Sequence, residues 1–147
     1  FGTIRIWIGP PEEWPGEVRE DIGLAVFAAR AWGPEFLFVA HAEDADWSIR
    51  WADSGVADPW AGRWTPSRRL IEIDYAQCRG RLERRRAVLH EIGHALGCEH
   101  VSTPTAVMFE RLGRDEPEIT TATYAGNVAT DFVTSADIDA YNRAIAR

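Results

Sequence analysis

Residues 90–100 read HEIGHALGCEH, and this stretch decides the fold of the chain around it. His90 and His94 are four residues apart, so on a helix their side chains lie on one face, one turn apart. Two imidazole rings at that spacing can bind one ion at about 2.0–2.1 Å. Glu91 is adjacent, where its carboxylate can act on a water at the ion without being a ligand. The stretch therefore predicts a metal-binding helix, which we place at residues 82–96.

The residues that follow this helix predict a third ligand. Gly97 can adopt a positive φ at little cost, so it ends the helix and turns the chain sharply. That turn brings His100 back toward the other two histidines. Three protein ligands with one open position are typical of catalytic zinc, whereas structural zinc usually has four. Cys98 is a conceivable ligand, but the turn that directs His100 inward should direct Cys98 elsewhere.

The rest of the chain shows the periodicities of a mixed domain. Alternation and short apolar runs predict strands at 3–8, 36–40, 46–51 and 70–74, with an edge strand at 61–65 and the run at 36–40 buried. Helical spacing predicts helices at 17–32 and, after a capping box of Thr134 and Asp137, at 135–146. Residues 97–134 are otherwise mostly irregular. This order predicts an α/β domain with a twisted, mostly parallel sheet, and we expect residues 1–147 to form one domain.

Composition excludes some classes of partner. The net charge of −7 argues against nucleic acid, which requires a basic surface. No run of 18 apolar residues is present, so no membrane span is predicted. All 16 basic residues are arginine, which favours a high-GC bacterial or phage source. The chain begins at Phe1, so we expect a processed or trimmed chain. We also expect the protein to be secreted or extracellular.

The pattern H-E-x-x-H-x-x-G-x-x-H resembles the signature of the metzincin clan of metallopeptidases. Met108 lies eight residues after His100, which resembles the spacing of the Met-turn in the matrixin branch. Upstream, DADWSIRW, AGRWTP and LIEID are similar to a sheet strand, the cleft-edge strand and the strand before the catalytic helix in that family. Downstream, SADIDAYNRAI resembles its C-terminal helix, with Asp137 at an acidic position of the family. The resemblance covers nearly the whole chain, although only residues 90–108 are specific.

The resemblance implies a matrixin-like zinc endopeptidase. Its fold would be an α/β (α+β) sheet with one antiparallel edge strand, a catalytic helix, a Met-turn and a C-terminal helix. His90, His94 and His100 would hold one catalytic zinc ion, with Glu91 as general base and then general acid. The partner would be a protein or peptide substrate, extended antiparallel to the edge strand. We expect the enzyme to be a monomer.

Three departures from the family limit what carries over. No histidine stands between the third strand and the catalytic helix, so a second, structural zinc is not expected. The family's calcium loops are not evident, although Asp53, Asp58 and Asp74 could offer oxygen ligands. Glu110 stands where the family has a proline after the Met-turn, so the family's hydrophobic specificity pocket is not implied.

Two other functions stay open on the residues alone. A zinc hydrolase in the same frame could cut the peptide cross-links of a cell wall. A protease-derived module could bind zinc without catalysis, although the intact Glu91 argues against this because a retired site has no need of its base.

For several residues outside the motif we favour a structural role over a functional one. Cys78 and Cys98 flank a predicted helix of about 22 Å, too far for a disulfide, which predicts two free thiols. His41 matches no ligand spacing, so a surface or core histidine is expected. A solvated helix face is favoured over an acidic partner for five arginines: Arg79, Arg81, Arg84, Arg85 and Arg86. Packing is favoured over substrate binding for Trp60 and Trp64.

Overall fold

The computed structural model describes residues 2–55, 57, 59–78, 80–103, 106–109 and 133–147. Five strands are present in this part of the chain: β1 Thr3–Ile8, β2 Glu35–Phe38, β3 Trp47–Trp51, β4 Gly62–Thr65 and β5 Leu70–Ile73. The longer helices are α1 Gly16–Ala29, α2 Arg81–Ala95 and α3 Ser135–Ile145. Each lies within a few residues of its predicted position, and most of 97–134 lies outside the described residues.

The strands form one sheet in the order β2-β1-β3-β5-β4. Every neighbouring pair is parallel except β4 and β5, which are antiparallel. Because side chains alternate along a strand, one face carries the core residues Ile6, Ile49 and Ile71, all fully buried. The predicted fold, a mostly parallel α/β sheet with one antiparallel edge strand, is confirmed.

The opposite face of the sheet is polar and laddered with ion pairs. Arg5 pairs with Asp46, and Arg50 pairs with Glu13. On the edge strand, Arg63 pairs with Glu72, its cross-strand neighbour on β5. Such exposed pairs each contribute little stability, but they make that face hydrophilic and solvated. The helices therefore pack against the other, apolar face.

The apolar residues of α1 divide as helical periodicity predicts. Val18, Ile22, Val26 and Ala29 face the core, whereas Phe27 is 66% exposed. After Ala29 the chain tightens into a 3₁₀ turn that ends at a glycine with φ 120°.

Strand β2 corrects the expectation of a buried strand at 36–40. It spans Glu35–Phe38 and pairs only with β1 in the described part of the sheet. Leu37 is 54% exposed and Phe38 is 49% exposed. An apolar run predicts burial only when a second strand or a helix covers it, and an edge position leaves one side of the strand open.

The arginine cluster corrects a second expectation, since it is not a solvated face. Arg81, Arg84 and Arg85 form ion pairs with acidic residues of α1. Arg86 is fully buried and donates a hydrogen bond of 3.0 Å to the carbonyl oxygen of Ala106. Arg79 lies outside the described residues. The arginines therefore join α2 to its neighbours.

Three smaller predictions also have outcomes. Cys78 and Cys98 are both free, so the prediction of two unbridged thiols is confirmed. His41 is exposed. Within the described ranges, none of the helices combines the length and the apolar character that crossing a membrane requires.

Candidate metal centre

The end of α2 turns the chain so that the three histidines of the motif meet. The N–H of Gly97 donates to the oxygen of His94 at 2.9 Å, and the N–H of Cys98 donates to that of Gly93 at 2.9 Å. These two bonds form a Schellman motif, which needs a left-handed residue after the helix. Gly97 supplies it with φ 96°, as predicted. The chain then reverses, and His100 lies beside the helix.

The imidazole rings of the three histidines converge on one point. Nε2 of His94 lies 3.1 Å from Nε2 of His90 and 3.0 Å from Nε2 of His100, and the latter two atoms are 3.3 Å apart. Tetrahedral ligands at about 2.05 Å from a zinc ion lie about 3.3 Å from one another. The spacing thus fits one ion. Within the described residues, these three histidines form the cluster of side chains that could hold it.

Backbone carbonyls determine the tautomers of two rings. Nδ1 of His90 lies 2.6 Å from the oxygen of Val107, and Nδ1 of His94 lies 2.9 Å from that of Cys98. A carbonyl oxygen only accepts, so both Nδ1 atoms donate and both Nε2 atoms of the neutral rings present lone pairs. Lone pairs 3.1 Å apart repel each other unless a cation lies between them. The donor set therefore fits a zinc ion.

Burial and openness differ across the cluster. His90 is 3% exposed, and burial lowers its pKa well below the ordinary value, with the neighbouring His94 adding to the effect. A ring that resists protonation keeps its lone pair available to a metal. His100 is exposed, so one side of the cluster is open to solvent and to a substrate.

The predicted Met-turn is present and packs against α2. The N–H of Phe109 donates to the oxygen of Ala106 at 3.2 Å and closes a tight turn. Met108 is fully buried, and its sulfur lies against Gly93, between the first two histidines of α2. A Cβ at Gly93 would overlap that sulfur, so the motif residues and the turn form one packed unit.

Asp137 of α3 holds this turn in place. It is fully buried, its Oδ1 accepts from the N–H of Met108 at 2.8 Å, and its Oδ2 accepts from that of Val107 at 3.0 Å. Oδ2 also accepts from the N–H and hydroxyl of Thr134, which completes the predicted capping box. One carboxylate thereby joins the C-terminal helix to the turn that contains Met108.

Glu91 lies against the edge strand β4. It is 4% exposed, and the backbone N–H of Trp64 faces its carboxylate. Burial raises the pKa of Glu91 to about 8, although the Trp64 N–H acts on the pKa in the opposite direction. A carboxyl group in that range can take up and return a proton near neutral pH.

Comparison with known proteins places this chain in a family. Residues 29–123, more than half of the chain, match the sequence profile of the matrixin family, peptidase M10. The chain belongs to the matrixin family. No curated protein gives a significant match. Matrixin membership and the three-histidine cluster together support a zinc metallopeptidase with peptide or protein substrates.

Two further predictions bear on this matrixin's ion content. Both carboxylate oxygens of Asp74 already accept from Ser54 and Ala76, so the residue supports its own loop. Asp53 accepts from the N–H of Gly55. Asp58 and Glu110 lie outside the described residues, so the calcium and specificity-pocket predictions stay predictions.

Of the two tryptophans near the edge strand of the matrixin sheet, Trp64 packs against the core. The ring of Trp64 lies 5.7 Å from that of Trp47 in the core. Trp60 carries the guanidinium of Arg63 over its ring at 4.6 Å. The favoured packing role thus has direct support at Trp64.

Proposed function

We propose that this matrixin is a zinc endopeptidase in which His90, His94 and His100 hold the ion and Glu91 transfers the proton. The observation that carries the proposal is the convergence of three Nε2 atoms, two with their lone pairs directed by backbone carbonyls, beside a buried carboxylate. When bound, zinc acidifies a water molecule and polarises a peptide carbonyl.

The protein's own groups prepare the site for that chemistry. The carbonyls of Val107 and Cys98 orient the first two rings, and Met108 packs against Gly93, which lies between them on α2. Glu91 takes a proton from the attacking water and delivers it to the leaving amine. Its burial against β4 excludes competing water, which favours the return of the proton to the substrate.

The edge strand suggests how the substrate binds. In the described sheet, β4 pairs with β5 on one side and with no strand on the other. An extended polypeptide added antiparallel to that free edge would bring its backbone past Glu91 and the histidines. Residues 1–147 as one catalytic domain, the monomeric state and secretion stay predictions from the sequence.

The Glu91→Gln variant tests the proposal on a quenched peptide library. We expect wild-type cleavage to stop with a zinc chelator and return with added zinc. The variant should still bind one zinc per chain but cleave at least about 10²-fold more slowly, because an amide cannot accept the proton. Glu43→Gln, an exposed carboxylate outside the site, is the matched control and should cleave normally.

The outcomes separate the alternatives. Normal cleavage by Glu91→Gln would exclude the assigned role of Glu91. Zinc binding without cleavage of any peptide by the wild type would favour a binding module, and cleavage confined to purified peptidoglycan would favour a cell-wall hydrolase.

A further inference from the structure

Gly62 of the edge strand lies directly against the side chain of Glu91. A Cβ built on Gly62 would stand 2.8 Å from Cγ, 3.0 Å from Oε2 and 3.2 Å from Cδ of Glu91. Atoms of these kinds do not approach so closely without something shifting. Gly23 in α1 is a useful contrast, since a Cβ there would meet nothing within 4 Å.

The backbone conformation of Gly62 does not itself require glycine. The glycines with positive φ in the described residues are Gly33, Gly55 and Gly97, and Gly62 is not among them. Gly62 is the first residue of β4 and pairs with Ile73 of β5. The requirement at this position is therefore for space, and the group that fills the space is Glu91.

The same strand contacts Glu91 a second time, two residues later. The backbone N–H of Trp64 faces the carboxylate and favours its charged form. A Cβ on Gly62 would crowd both the stem of Glu91, at Cγ, and its head, at Oε2. Glu91 is buried, so a stem displaced by a new methyl group has no solvent into which it could move. A shift of the stem would also carry the carboxylate away from the Trp64 N–H.

We propose that Gly62 is a positioning residue for Glu91: its missing side chain lets the edge strand seat the general base beside the three histidines. This inference rests on the proposed function for its catalytic half. Its structural half, a steric coupling between residues 62 and 91, stands independently of any activity.

A double-mutant cycle on thermal stability tests the steric coupling. Gly62→Ala should lower the melting temperature when Glu91 is present, because the new methyl group overlaps the carboxylate stem. In the Glu91→Ala background the same change should leave the melting temperature equal or higher, because alanine loses less backbone freedom on folding than glycine does. Gly23→Ala, with open space, should behave alike in both backgrounds.

Peptide cleavage tests the catalytic half. Gly62→Ala should lower kcat by about 10²-fold, as expected for a misplaced catalytic group, while KM and zinc stoichiometry stay near wild type. Gly23→Ala should keep wild-type kcat. Equal effects of Gly62→Ala on the melting temperature in both backgrounds, or an unchanged kcat, would overturn the inference. Peptide cleavage by the wild type would still support the proposed function in that case. A wild type that cleaves no peptide would overturn the proposed function and the catalytic half with it, and the melting cycle would still decide the coupling.

Discussion

At the scale of single residues, the candidate metal centre depends on side chains that are absent as well as present. Gly93 occupies one of the two variable positions of H-E-x-x-H, where the pattern itself makes no demand. In this fold a Cβ at that position would overlap the sulfur of Met108 and lie 3.1 Å from the ring of Trp32. Gly93 therefore ties the helix to the Met-turn as directly as the histidines do.

Asp137 gives the first prediction at this scale. In Asp137→Asn one acceptor oxygen becomes an NH₂ group that faces backbone donors at the Met-turn or at Thr134. Losing charge-assisted bonds in a fully buried site should lower the free energy of unfolding by about 2–4 kcal/mol, measured by urea denaturation. Asp139→Asn, on an exposed position of the same helix, should change it by less than about 0.5 kcal/mol. Equal effects of the two substitutions would show that Asp137 does not clamp the turn.

The residue-level predictions from sequence succeeded where the signal was local. His90, His94 and Gly97 lie on one helix and its terminal turn, so their spacing alone indicates a shared face and a sharp end. Gly62 and Asp137 act on residues 29 or 30 positions away in the chain. No periodicity carries that information, because the contacts arise only when the edge strand and the last helix are folded onto α2.

At the scale of elements, α1 and α2 are joined by a buried carboxylate among arginines. Asp21 of α1 is fully buried, and it lies 3.1 Å from Arg81, 3.7 Å from Arg84 and 3.6 Å from Arg85. The arginine side chains stay 23–41% exposed, so their charged groups keep part of their hydration. The carboxylate balances the positive charge of three arginines at the helix interface. Only the carboxylate is fully removed from water, so the desolvation cost falls mainly on one group.

We predict that Asp21→Asn weakens the interface between α1 and α2. The substitution leaves the arginines without their shared counter-charge, and their partial exposure limits the cost to about 1–3 kcal/mol in the free energy of unfolding. Glu20→Gln is the matched control, since Glu20 pairs with Arg81 but is 63% exposed. Its effect should stay within about 1 kcal/mol and fall in 1 M salt, whereas the Asp21 effect should persist. An Asp21 effect that salt abolishes would show that the pair is an ordinary surface interaction.

Element positions were predictable from sequence, but their neighbours were not. The alternation of TIRIWI and the apolar spacing of α1 follow from local geometry. The apolar run of β2 reads the same whether a strand is central or at an edge, and only the strand order shows that β2 has one neighbour. Similarly, the charges of residues 81–86 look solvated until the acidic side of α1 is placed opposite them.

At the scale of the whole molecule, Cys78 and Cys98 lie at opposite ends of α2 and can report on its unfolding. Burial raises the pKa of each thiol to about 12. Because the thiolate is the reactive form, at pH 8 about one folded thiol in 10⁴ is ionised, against about a tenth of unfolded thiols with the ordinary pKa of 9.0. Alkylation of the folded protein should therefore be about 10³-fold slower than that of the unfolded chain, with the difference shrinking as the pH rises toward 12.

The slow alkylation of the two folded thiols can test whether the predicted single domain unfolds cooperatively. If residues 1–147 unfold as one unit, pulsed alkylation followed by mass spectrometry should label both thiols with the same urea midpoint, because each becomes reactive only when the packing on α2 is lost. Cys98 packs close to α3, and Cys78 lies at the other end of the helix, so independent units would expose them at different urea concentrations. The Asp21→Asn variant is the matched comparison: in a cooperative fold it lowers both midpoints equally, although Asp21 lies nearer to Cys78. A shift confined to Cys78 would contradict the single-domain prediction, because it would show that the two ends of α2 unfold separately.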